Sequence, residues 1–280
     1  MKYFLAVIIV ASLVSGCIKN NPDPSWITIN EWTIEANPNG NNAGVLTMNF
    51  PYAWVYVNGE ILGVFELPCT VPVLASGAAE IRVYPAILDN GISATKKIYP
   101  FVEDQTINTV LIQNEVLEIN PVTRYVSTAK FHIQDFEGAN TNFENTSNST
   151  ASLILQGDAN NSYGRVLLNS SQDYWEAFWN DGLPLPVGQD AYLEIDYYNT
   201  NLFTQGIVYE KQDGSTGSQV NIGMPTQADD AAVWKKIYID LTELVGVSQG
   251  VYFVQTFQAK LDEGDSQGVI YIDNIKIVHY

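Results

Sequence analysis

Ala53-Trp54-Val55-Tyr56-Val57-Asn58-Gly59-Glu60-Ile61-Leu62 reads as a strand, a two-residue turn and a returning strand. Asn-Gly accepts positive φ at both central positions, which a type I′ hairpin turn demands. Working outward, the same grammar recurs: short runs rich in Val, Ile, Tyr and Phe lie between clusters of Asn, Gly and Pro. Further strands are expected at 80–84, 96–101 and 108–119. Beyond 120–129 they continue at 131–136, 152–156, 165–168, 174–179, 191–198, 203–211, 234–241, 251–259 and 269–278, with loops at 140–149 and 212–219. Helical periodicity is confined to one or two turns at 242–248. The spacing predicts an all-β chain with two units, 26–125 and 126–280, each a β-sandwich.

Three further stretches carry resemblances. In 45–113, Val55-Tyr56-Val57-Asn58-Gly59, Gly63, Pro68-Cys69-Thr70-Val71-Pro72 and Gly77 resemble the PEGA family of small, Ig-like sandwich modules, although the eponymous motif is not reproduced. That resemblance implies a spacer or docking module. In 131–280, Asp135-Phe136-Glu137-Gly138, Trp234-Lys235-Lys236-Ile237-Tyr238-Ile239-Asp240-Leu241 and Ile270-Tyr271-Ile272-Asp273-Asn274-Ile275-Lys276-Ile277 resemble the carbohydrate-binding modules and galactose-binding-like jelly rolls of bacterial polysaccharide-handling proteins. The motifs mark the fold more than a ligand.

The third lies at the start. Lys2 precedes an apolar run, 3–14, that spans about 18 Å as a helix, too short for a ~30 Å hydrocarbon core and suited to a signal-peptide h-region. It ends in Val14-Ser15-Gly16-Cys17, which resembles the lipobox of bacterial lipoproteins, including those of Bacteroidetes. The resemblance implies removal of residues 1–16, acylation of Cys17 and a lipidated tether over 17–25. No aspartate follows the cysteine, as an inner-membrane retention signal would require, so the outer membrane is expected, with the cell surface favoured and the periplasmic leaflet open.

With 13 Lys+Arg against 31 Asp+Glu the formal charge is −18, and −19 once Lys2 is removed. Such a surface repels phosphate backbones and excludes nucleic-acid binding as a working reading. Charged residues make up 16% and aromatics 12% of the chain, a balance that fits an extracytoplasmic β-protein. Cys69 is the cysteine left once Cys17 carries lipid, so it reads as a small apolar side chain. With His132 and His279 the two histidines, a His-rich zinc site or a Ser-His-Asp site has little support.

Three site readings follow. The jelly-roll resemblance implies a structural Ca²⁺ between opening and closing strands, with Glu137 and Asp273 as matching acids and Asp135 assisting; solvated strand ends are the alternative. Trp175 and Trp179 alternate with Tyr174, Glu176 and Phe178, so both strand faces carry aromatics, and the surplus face is read as a platform for sugar rings. On the next strand Glu194, Asp196 and Tyr198 form a polar-aromatic face suited to accepting hydroxyls and stacking; core packing and a solvated face are the alternatives. Trp234 is read as a structural edge residue. Glu194 and Asp196, about 6.5–7 Å apart between Cα atoms, approach glycosidase spacing, yet no cleft signal accompanies them. The expectation is a non-catalytic lipoprotein binding extracellular glycan, or else a structural subunit of an outer-membrane assembly whose partner is a protein.

Overall fold

The structure of the protein, a computed structural model, describes residues 23–138, 141–157 and 161–280. Cys17 and its leader lie outside the described residues. The first unit contains β1 (Ser25–Ile29), β2 (Thr33–Glu35), β3 (Tyr52–Val57), β4 (Glu60–Glu66), β5 (Cys69–Val73), β6 (Gly77–Leu88), β7 (Lys96–Ile98), β8 (Gln105–Leu111), β9 (Val116–Ile119) and β10 (Val122–Arg124). The second contains β11 (Lys130–Gln134), β12 (Phe143–Asn145), β13 (Leu153–Gly157), β14 (Ser162–Asn169), β15 (Tyr174–Leu183), β16 (Ala191–Asn199), β17 (Phe203–Lys211), β18 (Thr216–Met224), β19 (Lys235–Asp240), β20 (Gly250–Lys260) and β21 (Gln267–His279). One helix, α1 (Thr242–Ser248), connects β19 to β20.

The hairpin that opened the reading forms as expected: Asn58 and Gly59 sit at φ 53° and 82°, joining β3 to β4. In the first unit β4-β3-β6-β7, with β8 on β6, faces the small sheets β5-β1-β9 and β10-β2. The single strand expected over 108–119 is broken, because Asn114 adopts φ 65° and turns the chain from β8 into β9. The expected loop 212–219 instead gives half its length to β18, which pairs with β17.

The second unit is a jelly-roll sandwich. One sheet runs β13-β14-β21-β16-β19, with β11 also on β21; the other runs β12-β15-β20-β17-β18. Alternation sends Trp175, Ala177 and Trp179 of β15 between the sheets, where they meet Phe203, Phe253, Phe257 and Ile272. Trp175 and Trp179 are both 0% exposed. This corrects the reading of these two tryptophans as a sugar platform: a core filled by large rings outweighs a surface role, each fully buried apolar side chain contributing about 1.5–3 kcal/mol. Phe178 and Tyr174 take the outward positions.

The six-stranded sheet is buried on both faces over part of its area. Leu193, Ile195 and Tyr197 of β16 point into the sandwich, whereas Tyr192, Glu194, Asp196 and Tyr198 point away from it. The first unit lies against this outer face. Phe50, Tyr99, Phe101 and Tyr125 share a core with Tyr192, Tyr238 and Val278. Tyr99 packs 4.8 Å from Tyr238 and 5.4 Å, edge-on, from Tyr192. The two units are thus fixed to each other by a continuous aromatic contact.

Candidate functional site

The outer face of the six-stranded sheet is laid out in rows across its strands. In one row Arg165 of β14 pairs with Tyr271 of β21, and Tyr271 with Tyr198 of β16; Trp234 lies one step beyond the Tyr197–Lys235 pair. In the next row Asp273 pairs with Asp196, and Asp196 with Lys236 of β19. In the third, Lys276 and Tyr238 flank Glu194. The first unit covers this third row, the second row is buried at its border, and the first row is the most open of the three.

Glu194 belongs to the covered part. It is 0% exposed, accepts hydrogen bonds from Tyr99 Oη (2.6 Å) and Tyr125 Oη (2.9 Å), and lies 2.9 Å from Lys236 Nζ. Burial works to raise its pKa, but Lys236, Lys276 and the Tyr99 hydroxyl together hold it below the ordinary carboxylate value. Burial works to lower the pKa of Lys236, but the Glu194 and Asp196 carboxylates hold it above its ordinary value. Glu194 is therefore an ionised group that joins the two units, which corrects its reading as a sugar-hydroxyl acceptor; the tertiary cover comes from residues far away in sequence.

Asp196 borders the open part. Lys236 Nζ donates to its Oδ1 at 3.3 Å and Asn274 Nδ2 to its Oδ2 at 3.1 Å, and it lines a cavity of about 380 Å³ with Tyr163, Trp234, Asp273 and Asn274. That volume falls in the ~300–1,000 Å³ range of small-molecule pockets. Beside it, Tyr198 stacks on Tyr271 (5.2 Å, 25°), Trp234 on Tyr271 (6.3 Å, 27°), and Tyr163 lies 5.1 Å from Tyr271. Trp234, 46% exposed, is the most open of the four rings and joins the site, where the sequence alone reads it as a structural edge residue. The signal in the sequence that marks it is an aromatic directly before a strand, one step out of register from Lys235 and so opposite Tyr198.

Glu194 and Asp196 do not form a catalytic pair, since one is sealed under the first unit and both are engaged by Lys236. Of the expected Ca²⁺ acids, Asp273 is buried and accepts from Asn274 N (2.7 Å), and its carboxyl is pushed up to about 7, first by burial and further by the charges of Asp196 and Glu137. Exposed Glu137 accepts from Ser162 N (2.8 Å), and Asp135 accepts from Glu137 N (3.2 Å) within its own turn. Among the described residues no three His, Cys, Asp or Glu side chains converge so as to hold a metal ion. Glu137 and Asp273 are close enough to feel each other's charge; Asp135 is occupied in its own turn. The arrangement offers ring faces for apolar surfaces and carboxylate and amide groups for hydroxyls. Among the described residues no helix is long and apolar enough to cross a membrane.

No protein-family model matches the chain, and no curated protein matches it. Among solved structures it is similar to the N-terminal modules of an endo-1,4-beta-D-xylanase of Clostridium thermocellum complexed with xylohexaose (12% identity, TM-score 0.36, 52% of this chain and 28% of that one). It is also similar to carbohydrate-binding modules of the beta-sandwich superfamily (16%, 0.38, 80% and 83%) and to a family 29 carbohydrate-binding module (17%, 0.33, 54% and 88%). The chain spans 28% of the xylanase modules and 20% of a bacteriophage CBA120 tailspike domain that it also matches. At these scores the likeness assigns neither family nor ligand.

Proposed function

We propose that this protein is a non-catalytic lipoprotein of the outer membrane, held through acylated Cys17, whose second unit binds extracellular glycan. The observation that carries the reading is the partly exposed cluster of Tyr163, Tyr271, Tyr198 and Trp234 beside a cavity edged by Asp196, Asp273 and Asn274. Ring faces pack on the C–H faces of sugars while polar groups fix hydroxyl orientation. The strongly acidic surface favours neutral over anionic glycans. The first unit, PEGA-like in this reading, braces the sheet. A structural Ca²⁺ between Glu137 and Asp273 is part of the same proposal, supported by the proximity of those two acids.

The test is affinity electrophoresis and a glycan array with the full chain. Retardation by a neutral polysaccharide that Trp234→Ala and Tyr198→Ala each reduce tenfold or more supports the reading. Silence across the array, with co-purification of an outer-membrane barrel, replaces it with the protein-partner alternative.

A further inference from the structure

We propose that the aromatic cluster and the cleft between β19 and the first unit form one continuous groove that takes an extended oligosaccharide of several sugar units. This deepens the glycan reading above and rests on it. A second cavity, of about 560 Å³, adjoins the first and shares Met48, Trp234, Lys235 and Lys236 with it. The first cavity reaches from Tyr163 on β14 to Lys236 on β19; the second carries on past the edge of β19 to Pro225 and to Leu88 and Gly91 of the first unit. With strands about 4.8 Å apart, the sheet portion alone spans roughly 14 Å. A single sugar ring leaves most of that length empty; a chain fills it.

One wall of the groove is Met48, which borders both cavities and comes from a stretch with no regular secondary structure. That stretch is nonetheless pinned. Lys276 Nζ donates to Val45 O, Lys236 Nζ donates to Thr47 Oγ1 at 3.1 Å, and Asn49 Nδ2 donates to Lys236 O at 3.1 Å. Asn49 N donates to Tyr238 Oη at 2.9 Å, and Phe50 stacks on Tyr238 at 5.7 Å. The far end is pinned as well: Asn90 N donates to Tyr238 O at 3.0 Å and Asp240 N donates to Asn90 Oδ1 at 2.9 Å. A wall fixed before the ligand arrives loses little freedom on binding. Met48 and Leu88 are both half-buried, and Met48 also packs against the rim of the shared core, so shortening them alters the groove without emptying the centre of that core.

Calorimetry of the full lipidated chain in detergent micelles, with neutral cello-, xylo- and manno-oligosaccharides of two and six units, tests this. The expected result is a hexamer that binds at least tenfold tighter than its dimer. Met48→Ala and Leu88→Ala should each weaken the hexamer more than the dimer and so remove most of that advantage, while each variant still melts in a single cooperative transition. Equal affinity for dimer and hexamer, or a hexamer advantage untouched in both variants, overturns the extended groove while the glycan reading stands. No binding of any member, alongside a silent array, overturns both.

Discussion

The hydroxyl of Tyr125 lies 2.9 Å from each carboxylate oxygen of Glu194, bringing a residue at the end of the first unit onto β16 of the second. With Tyr99 at 2.6 Å and Lys236 at 2.9 Å, the carboxylate is the node at which the units are joined. Lys276, also 0% exposed, belongs to the same node; burial lowers its pKa to about 8 although Glu194 opposes the shift. Removing the carboxylate leaves buried ammonium charge with less compensation. Glu194→Gln is expected to cost about 3–5 kcal/mol, the range for breaking a buried ion pair. Tyr125→Phe should cost about 1–3 kcal/mol, through a hydrogen-bond partner lost to a buried charge. Urea denaturation monitored by tryptophan fluorescence gives both values; a Glu194→Gln midpoint equal to that of the wild type would remove the node.

The two tryptophans of β15 answer to stability, not to ligand. Both are fully buried, and Trp175 Nε1 donates to Asn145 Oδ1 at 3.2 Å. Trp179→Ala is expected to cost about 3–5 kcal/mol, as for other large-to-small core changes, and Trp175→Ala a similar amount. Trp234→Ala, at a half-exposed ring, should stay within about 1 kcal/mol of the wild type while weakening sugar binding. Melting curves of the three variants separate the cases.

What could be read ahead of the structure follows the range of the interactions. Asn58-Gly59 specifies its hairpin within four residues, and the alternation of β16 sorts Leu193, Ile195 and Tyr197 from Glu194, Asp196 and Tyr198 correctly. Alternation does not say what covers each face. Glu194 is sealed by Tyr99 and Tyr125, 95 and 69 residues away, and no local pattern encodes that contact. For the same reason Tyr198 stays at the open site while Glu194, four residues earlier on the same face, leaves it. Both faces of β15 carried aromatics, and only the partner sheet decides which one is inside.

Asp273 gives a pH signature with a definite sign. A carboxyl whose folded pKa is raised supplies stability that is complete below its unfolded value, near 3.9, and lost as pH climbs through about 7. Asparagine has no such titration. In chelator-containing buffer, the stability of the wild type relative to Asp273→Asn should therefore fall between pH 4 and pH 7 and level off above. A flat difference across that interval would show that the carboxyl titrates normally.

The proposed Ca²⁺ reverses that trend, because a bound cation favours the ionised carboxylate. Millimolar Ca²⁺ at pH 7.5 should raise the melting temperature of the wild type by several degrees and leave Glu137→Gln and Asp273→Asn unmoved. Differential scanning fluorimetry with and without chelator is the measurement. An unchanged wild-type melting temperature removes the metal.

Acylation at Cys17 is the remaining premise, and it predicts a mass. Signal-peptide cleavage before Cys17 followed by acylation leaves a mature chain that starts at that residue and is heavier than its sequence by the acyl and glyceryl groups. Each buried methylene is worth about 0.8 kcal/mol, so two or more acyl chains hold the protein at a bilayer without help from the folded units. Cys17→Ser should transfer the protein quantitatively from the membrane pellet to the soluble fraction while leaving its melting temperature unchanged, since the anchor precedes β1 at Ser25. Intact-mass spectrometry of the native protein decides the matter: an unmodified residue 17, or a retained leader, removes the anchor and the outer-membrane location with it.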